Sequence, residues 1–401
     1  MSPRDTARPQ IDRVQKRALA VGVLSLFLAV IFGALQSRGA GAEGWVQFLR
    51  SYVFAYMYWI AISLGCIAIL MLHHLTGGWW GLPIRRILEA GSRTLGLMAV
   101  LFLPVLVGMG RLYPWMRPGE ISDDPVDHFK RVYLQPGFFI VRTVVYLACF
   151  VVLAHFLSKW SAEQDRTGDV RFKDRMESLS GPGLVIWGLA ITGAAIDWVM
   201  SLEPHWFSTV YGMIFMALEC LAAISFAVLI LRLLGEHEPL KDSYEPKRLL
   251  DLGNLMLTFT LLLTYVSFGQ FLIIWAGNLK DEIPWYMSRA FGGWAYVASA
   301  LLVLHFFVPF FVLLQRAAKR RLQRLSTVAS WILVLTLVDV YWLVVPAYEK
   351  SGPRIHPTDI FAVIGIGGVW VAWFMAQLKK MPLLPVHDPR FEGVLEPGHG
   401  D

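Results

Sequence analysis

Three carboxylic acids of this chain, Asp197, Glu219 and Asp339, lie inside long apolar runs. An ionisable group is costly to hold in such a setting, and it marks a pathway for protons, ions or a polar ligand. Asp197 opens the segment Asp197-Trp-Val-Met-Ser-Leu-Glu-Pro-His-Trp-Phe-Ser-Thr209, which joins two runs and brings Glu203, His205 and Trp206 close to it in a stretch without Lys or Arg. His305 sits near the middle of another run, and Thr260, Thr264 and Ser267 share one side of a further one, with Gln270 adjoining. Arg142 is a lone cation one to two turns inside its run and a candidate partner for a carboxylate. Desolvation raises the pKa of an unpaired buried acid by several units, which makes it a proton acceptor near neutral pH, the requirement for a relay.

Each residue also has a plain structural reading. A buried Asp or Glu can bond a neighbouring helix, a hydroxyl stripe can serve helix packing, His305 can be a satisfied bundle histidine, and Arg142 can reach to the interface along its apolar stem. Helical spacing places Ala190, Gly193 and Ala194 on the face of Asp197, and Gly212, Ala222 and Ala223 on that of Glu219. Small faces are where membrane helices pack closely, so both acids are expected to point into a bundle.

The elements that position these groups follow from composition. Of 401 residues, 56% are hydrophobic and 16% charged, with a mean hydropathy of +0.52; about 25% charged residues is usual for a soluble domain. Ten apolar runs, near 19–36, 52–72, 95–110, 137–157, 183–202, 209–231, 252–275, 290–314, 328–347 and 360–377, approach the roughly 20 residues that cross a bilayer. With water excluded each must satisfy its own backbone, so the expected fold is all-α and polytopic, with ten transmembrane helices. What remains leaves no room for a soluble domain.

Lys and Arg set the orientation. They crowd the segment before the first run, every second connection thereafter (Arg85 and Arg86, Arg171 to Arg175, Lys247 and Arg248, Arg316 to Arg324) and the tail with Lys379 and Lys380. The opposite connections hold far fewer. Both termini are therefore expected in the cytoplasm, and the pI of 9.2 reflects insertion signals, not nucleic-acid binding.

The first run resembles a signal peptide but lacks a good cleavage site at Gly33 to Arg38, so it is expected to remain as an anchor. Cys66, Cys149 and Cys220 lie in runs with no metal-ligand spacing and read as buried apolar thiols. A b-type haem needs two His on facing helices at matched depth. His73 or His74 with His155 offers such a pair, yet His73, His74 and Thr76 to Gly81 read more naturally as a helix end and turn. No metal site is expected.

The expected organisation is a cytoplasmic segment 1–18, an anchor helix and outer loop 19–51, a first four-helix unit within 52–182 whose last helix runs to 202, a second completed by 347, a last helix within 348–385, and a tail 386–401. The outer loop 111–136 and the charged connection 158–182 are long enough to be partner surfaces. Gly292–Gly293 and Gly365–Gly368 are candidate bends.

Four segments carry a resemblance. Leu75-Thr-Gly-Gly-Trp-Trp-Gly-Leu-Pro-Ile-Arg-Arg-Ile-Leu-Glu-Ala90, the Asp197–Thr209 segment, Ser267-Phe-Gly-Gln-Phe-Leu-Ile-Ile-Trp-Ala-Gly-Asn-Leu-Lys-Asp-Glu-Ile-Pro-Trp-Tyr286 and Asp339-Val-Tyr-Trp-Leu-Val-Val-Pro346 are similar to stretches of the F subunit of alternative complex III. That complex is a bacterial quinol:electron-acceptor oxidoreductase replacing the cytochrome bc complex. The resemblance extends to the NrfD or polysulfide-reductase membrane subunits. It implies two four-helix bundles with two flanking helices, in the inner membrane. The implied partners are a sister membrane subunit, an iron–sulfur protein and multihaem cytochromes c, with a terminal oxidase as a candidate acceptor. Haem and iron–sulfur clusters would sit in those partners; none is bound covalently here, since the chain has no Cys-x-x-Cys-His. The F subunit is commonly labelled a second quinone-binding subunit, and its acids are candidates for a proton path.

On that reading Asp197 and Asp339 occupy the outer half, with Glu203 and His205 near the exit; Glu219 bridges from the membrane middle, and His305 or Thr260 extends the path inward, with water in the gaps. A quinone would need an apolar, lipid-open pocket with a few polar groups, to which Asp197, His205 and Trp206 are candidates to contribute. Two other classes stay open: a secondary transporter, which interrupted mid-membrane helices would favour, and a scaffold that only packs catalytic subunits. No redox centre is legible, so whether the chain itself counts as an enzyme stays open.

Overall fold

The computed structural model describes residues 6–40, 43–120, 128–385 and 387–388. All regular structure among them is helical: α1 (Arg8–Ala40), α2 (Glu43–Thr76), α3 (Arg85–Ser92), α4 (Leu95–Leu101), α5 (Leu103–Leu112), α6 (His128–Tyr133), α7 (Pro136–Thr167), α8 (Arg171–Trp198), α9 (Tyr211–Leu234), α10 (Pro246–Gly277), α11 (Ile283–Ala290), α12 (Trp294–Ala300), α13 (Val308–Leu314), α14 (Arg316–Lys319), α15 (Leu322–Val344) and α16 (Pro357–Leu378). A π-helical turn, Leu301–Phe307, links α12 to α13. Nine described helices are long and apolar enough to cross a membrane, or ten when the bent pair α3–α4 and α5 counts as one.

Local sequence explains many of the ends. Pro136, Pro246 and Pro357 open α7, α10 and α16, where a missing N–H costs nothing and φ is already helical. Gly168 (φ 69°) and Asn278 (φ 48°) close α7 and α10 in the left-handed region, which these residue types tolerate. At α16 the Asp359 carboxylate accepts from the His356 backbone N–H at 2.8 Å and from Ser51 Oγ at 2.5 Å, tying the start of α16 to α2.

α2 and α9 form the centre. Their apolar windows are 94% and 89% buried, against 22% for α1 and 28% for α10. The outer helices present large apolar side chains, among them Val107, Leu189, Tyr265 and Trp275, as a bilayer-facing surface requires. Glycine permits the central contact: a Cβ built on Gly65 would stand 1.8 Å from the Glu219 carbonyl oxygen and 2.8 Å from the Ala223 Cβ. Gly65→Val is expected to force α2 from α9 and lower stability by about 1–3 kcal/mol, read as an earlier thermal unfolding midpoint in detergent. Gly96→Ala, where an added Cβ meets open space, should leave the midpoint within error.

Several expectations are corrected. Gly365 and Gly368 lie in unbroken α16 and are packing positions: a Cβ on Gly368 would meet the Gly22 Cα of α1 at 2.4 Å. Gly292 and Gly293 do break the chain, at φ 63° and 91°, but between α11 and α12, before the apolar window begins. The interruptions within spans are elsewhere: a 48° bend between α4 and α5, where Pro104 removes a backbone donor, and the π turn holding His305. The charged connection 158–182 is not a loop: α7 and α8 continue until only residues 168–170 separate them. Helix also replaces the polar N-terminal segment from Arg8. The outer loop 111–136 contains a 3₁₀ turn, Pro114–Met116, and α6, while residues 121–127 and most of the tail 386–401 lie outside the described residues.

The ends of α1 and α16 meet on one face, where Lys379 Nζ donates to Asp12 at 2.6 Å and Gln10 donates to the Leu233 carbonyl at the end of α9. This is the Lys/Arg-rich face. The α7–α6, α8–α9 and α10–α11 connections lie at the opposite one.

Candidate functional site

Asp197 is not a lone acid. It sits in the last turn of α8, since Val199 breaks the helix before a 3₁₀ turn, Met200–Leu202, and its side chain is fully buried. Arg142 of α7 grips it with both prongs, Nε to Oδ2 at 2.8 Å and Nη2 to Oδ1 at 2.9 Å. The remaining guanidinium nitrogen donates to the Tyr133 carbonyl at 2.8 Å, and the cation lies 3.8 Å from the Tyr133 ring centre. Planar two-point pairing with a ring beneath is the arrangement that suits Arg and not Lys. Next to it Trp198 donates to Thr143 Oγ1 at 3.2 Å and accepts at its carbonyl from Tyr113. Burial first, and the Asp197 charge second, push the Tyr133 phenol up to about 12, so it stays a neutral donor.

Glu203 is likewise held. Arg289 of α11, buried, donates to Glu203 Oε2 at 2.8 Å and to the carbonyls of Trp285, Trp342 and Leu343, and stacks 3.8 Å over the Trp285 ring. Trp206 lies flat on Trp285, with ring centres 4.7 Å apart. Ser208 donates to Gln270 Oε1 at 2.8 Å, and the Gln270 amide reaches the Tyr286 hydroxyl at 3.3 Å. Three of the four segments that carry the resemblance, around Glu203, Gln270–Tyr286 and Trp342, therefore converge on Arg289. Arg289 is not among the candidates the sequence offers; the signal for it is its position three residues after the Trp285-Tyr286 pair.

Glu219 contrasts with both. It is the ninth residue of α9, about 12 Å along the helix at ~1.5 Å per residue, and is 2% exposed in the α2–α9 centre. No cation lies beside it, and its Oε2 has no hydrogen-bond partner among the described residues. An uncompensated charge buried in this way carries a large desolvation cost. On α15, which packs on α9, Asp339 Oδ2 stands 3.4 Å from His305 Nδ1, and the buried His305 Nε2 has no partner among the described residues.

Thr260 is buried, with its hydroxyl given to the Met256 carbonyl of its own helix, and Thr264 bonds the Thr260 carbonyl in the same way. The candidate group Asp197, His205 and Trp206 does not converge. Asp197 is enclosed by Arg142, the His205 side chain is 64% exposed and 3.9 Å from Glu120, and Trp206 lines a cavity of about 440 Å³ with Phe129, Tyr133, Phe138, Met200 and Phe207. Trp206 Nε1 is buried without a partner among the described residues.

On the Lys/Arg-rich face the first resembling segment builds a charged knot that sequence reading did not anticipate. Glu89 bonds Arg85 at 3.0 Å, Arg86 at 2.6 Å and Ser161 at 2.6 Å, Arg86 forks onto Asp165 of α7 at 2.6 and 2.5 Å, and Arg85 also engages Asp388. The Arg-Arg-x-x-Glu spacing, one helical turn, was the available signal. His73 packs edge-on against Trp80, ring centres 4.9 Å apart, beneath the turn after α2. Among the described residues no group of three or more His, Cys, Asp or Glu is placed to hold a metal ion.

No protein-family model matches this chain, and no curated protein matches its sequence.

Proposed function

We propose that this chain is an integral membrane subunit of a quinol-oxidising respiratory complex, a counterpart of the F subunit of alternative complex III, and that its task is to carry protons through Glu219. The observation that carries the reading is the contrast among the acids. Arginine locks Asp197 and Glu203, whereas Glu219 stands unpaired at the centre of the most buried helix pair. A scaffold has no need of a desolvated carboxyl there, and such groups are functional by default.

His305, in the π turn, and Asp339 of α15, 3.4 Å apart, are the next station on the path, with water bridging the distance to Glu219. π turns inside helices are frequent at functional sites. The two arginine locks position the helix ends around this path. The helices group as two four-helix bundles flanked by α1 and α16, with both termini in the cytoplasm of a bacterial cell, as the Lys/Arg distribution supports. Electrons pass through partner subunits: an iron–sulfur protein and multihaem cytochromes c beside a sister membrane subunit, with delivery to cytochrome c or a terminal oxidase.

A quinone site is a second reading, favoured by the aromatic cavity beside Trp206. Its volume suits a ring-sized ligand, its walls are largely apolar, and the unpartnered Trp206 Nε1–H is a donor that a quinone oxygen would accept from.

The test is purification of the full chain with its neighbours from native membranes, followed by an absorption spectrum. Co-purifying c-type haem and quinol-driven reduction of that haem are the expected results. A chain that purifies without haem proteins and moves a solute alone in vesicles is a transporter, and the proposal falls.

A further inference from the structure

A second cavity, of about 390 Å³, opens on the Lys/Arg-rich face between α4, α7 and the end of α16. Its walls carry Arg93, His155, Ser158, Lys159 and Lys380, and no carboxylate lines it among the described residues. Lys159 and Lys380 are exposed. Ser158 is 8% exposed, and its hydroxyl has no hydrogen-bond partner among the described residues; the same holds for Arg93 Nε. The cavity thus gathers cationic donors and an idle buried hydroxyl; Arg93 also lies 3.9 Å from Glu89, whose charge is shared with Arg85 and Arg86.

The walls then change character. Gly96, Val151 and Ala154 line the membrane-side part, and Val100, Val152 and Phe156 on the same two helices are exposed large apolar side chains. An added Cβ at Gly96 would meet open space, so the groove between α4 and α7 is unfilled there. Cations at one end of an apolar groove, at the level where spans leave the bilayer, match a phosphate headgroup with its acyl chains running along the helices. Lys159 can lay its stem on the apolar wall and keep its ammonium at the headgroup.

We infer that this cavity is a binding site for an anionic phospholipid, the phosphate held by Arg93, Lys159, Lys380 and the Ser158 hydroxyl, and the tails lying in the α4–α7 groove. This site does not depend on the proton-carrying role of Glu219, and its test does not touch that residue.

The full-length chain, delipidated in mild detergent, is titrated with phosphatidylglycerol and with phosphatidylcholine, and bound lipid is counted by native mass spectrometry. Phosphatidylglycerol is expected to bind at least about tenfold more tightly. Lys159→Gln with Lys380→Gln should bring the two lipids within about twofold of each other. Gly96→Leu keeps every charge but fills the groove, and should weaken binding of both lipids. Lys280→Gln with Lys350→Gln, on the opposite face, should change nothing. Equal binding of the two lipids by the unaltered chain overturns the site, as does a preference that survives the Lys159/Lys380 change. Displacement of bound phosphatidylglycerol by millimolar inorganic phosphate overturns the lipid assignment in favour of a free-anion site.

Discussion

Glu219→Gln is expected to leave the complex assembled and nearly silent. The amide matches the carboxyl group in size and shape and introduces no charge, so helix packing around Gly65 and Ala223 should be undisturbed. What is lost is the ability to release and recover a proton. Groups that transfer protons at the rate-determining point contribute on the order of 10²–10⁴-fold, so quinol-driven turnover should fall by about 100-fold or more with normal subunit content and haem spectrum. Glu219→Asp keeps the chemistry but shortens the reach and should retain a measurable fraction. His305→Phe should fall between them, because it removes the neighbouring station but not the central acid. Full turnover and full proton release by Glu219→Gln would overturn the proton-carrying role, since no other described acid in the core stands without a partner, and would leave the quinone-site and scaffold readings.

The long apolar runs were legible because hydropathy is a local property: each helix that satisfies its own backbone in lipid must spell out its length in sequence. Interruptions were less legible. Pro104 was visible, but a proline can open a helix or kink one, and only its neighbours decide which. The π turn around His305 leaves no mark in hydropathy. Charged stretches misled in the other direction. Residues 158–182 read as a loop because charge usually marks solvent exposure, yet Ser161, Gln164 and Asp165 point from a continuing helix onto Arg85 and Arg86.

The acids are legible by type; of their partners only Arg142 is legible, as a candidate for some carboxylate, whereas Arg289 is not. Asp197 and Arg142 are 55 positions apart, and Glu203 and Arg289 are 86 apart. Their pairing depends on where two helices end relative to one another, which a one-residue difference in α8 would alter. Glu219 was singled out with the other two buried acids, but its distinction, the lack of a cation, is a property of its surroundings and could emerge only in three dimensions. The Thr260 stripe shows the reverse case: hydroxyls at helical spacing are spent on their own helix, bonding the carbonyl four residues back.

The Arg142–Asp197 pair gives the second large effect. Arg142→Met leaves a fully buried carboxylate without a counter-ion, and Asp197→Leu leaves a desolvated guanidinium over Tyr133. Either change alone should cost about 3–5 kcal/mol, because the remaining charge keeps its desolvation penalty and loses its compensation. The double replacement Arg142→Met with Asp197→Leu removes both charges and should recover most of that loss, since an apolar pair of similar volume often holds as well as the ion pair it replaces. Thermal unfolding of the four proteins in one detergent measures the cycle, and a coupling of at least about 2 kcal/mol is expected from groups in direct contact. Turnover separates the two roles of Asp197. As a lock on the ends of α7 and α8, it is dispensable once the double variant folds, and quinol-driven activity should return to within a few-fold of the starting protein. A double variant that is stable, assembles and remains as inactive as Glu219→Gln would put Asp197 on the proton route itself, with Arg142 as the switch that frees it.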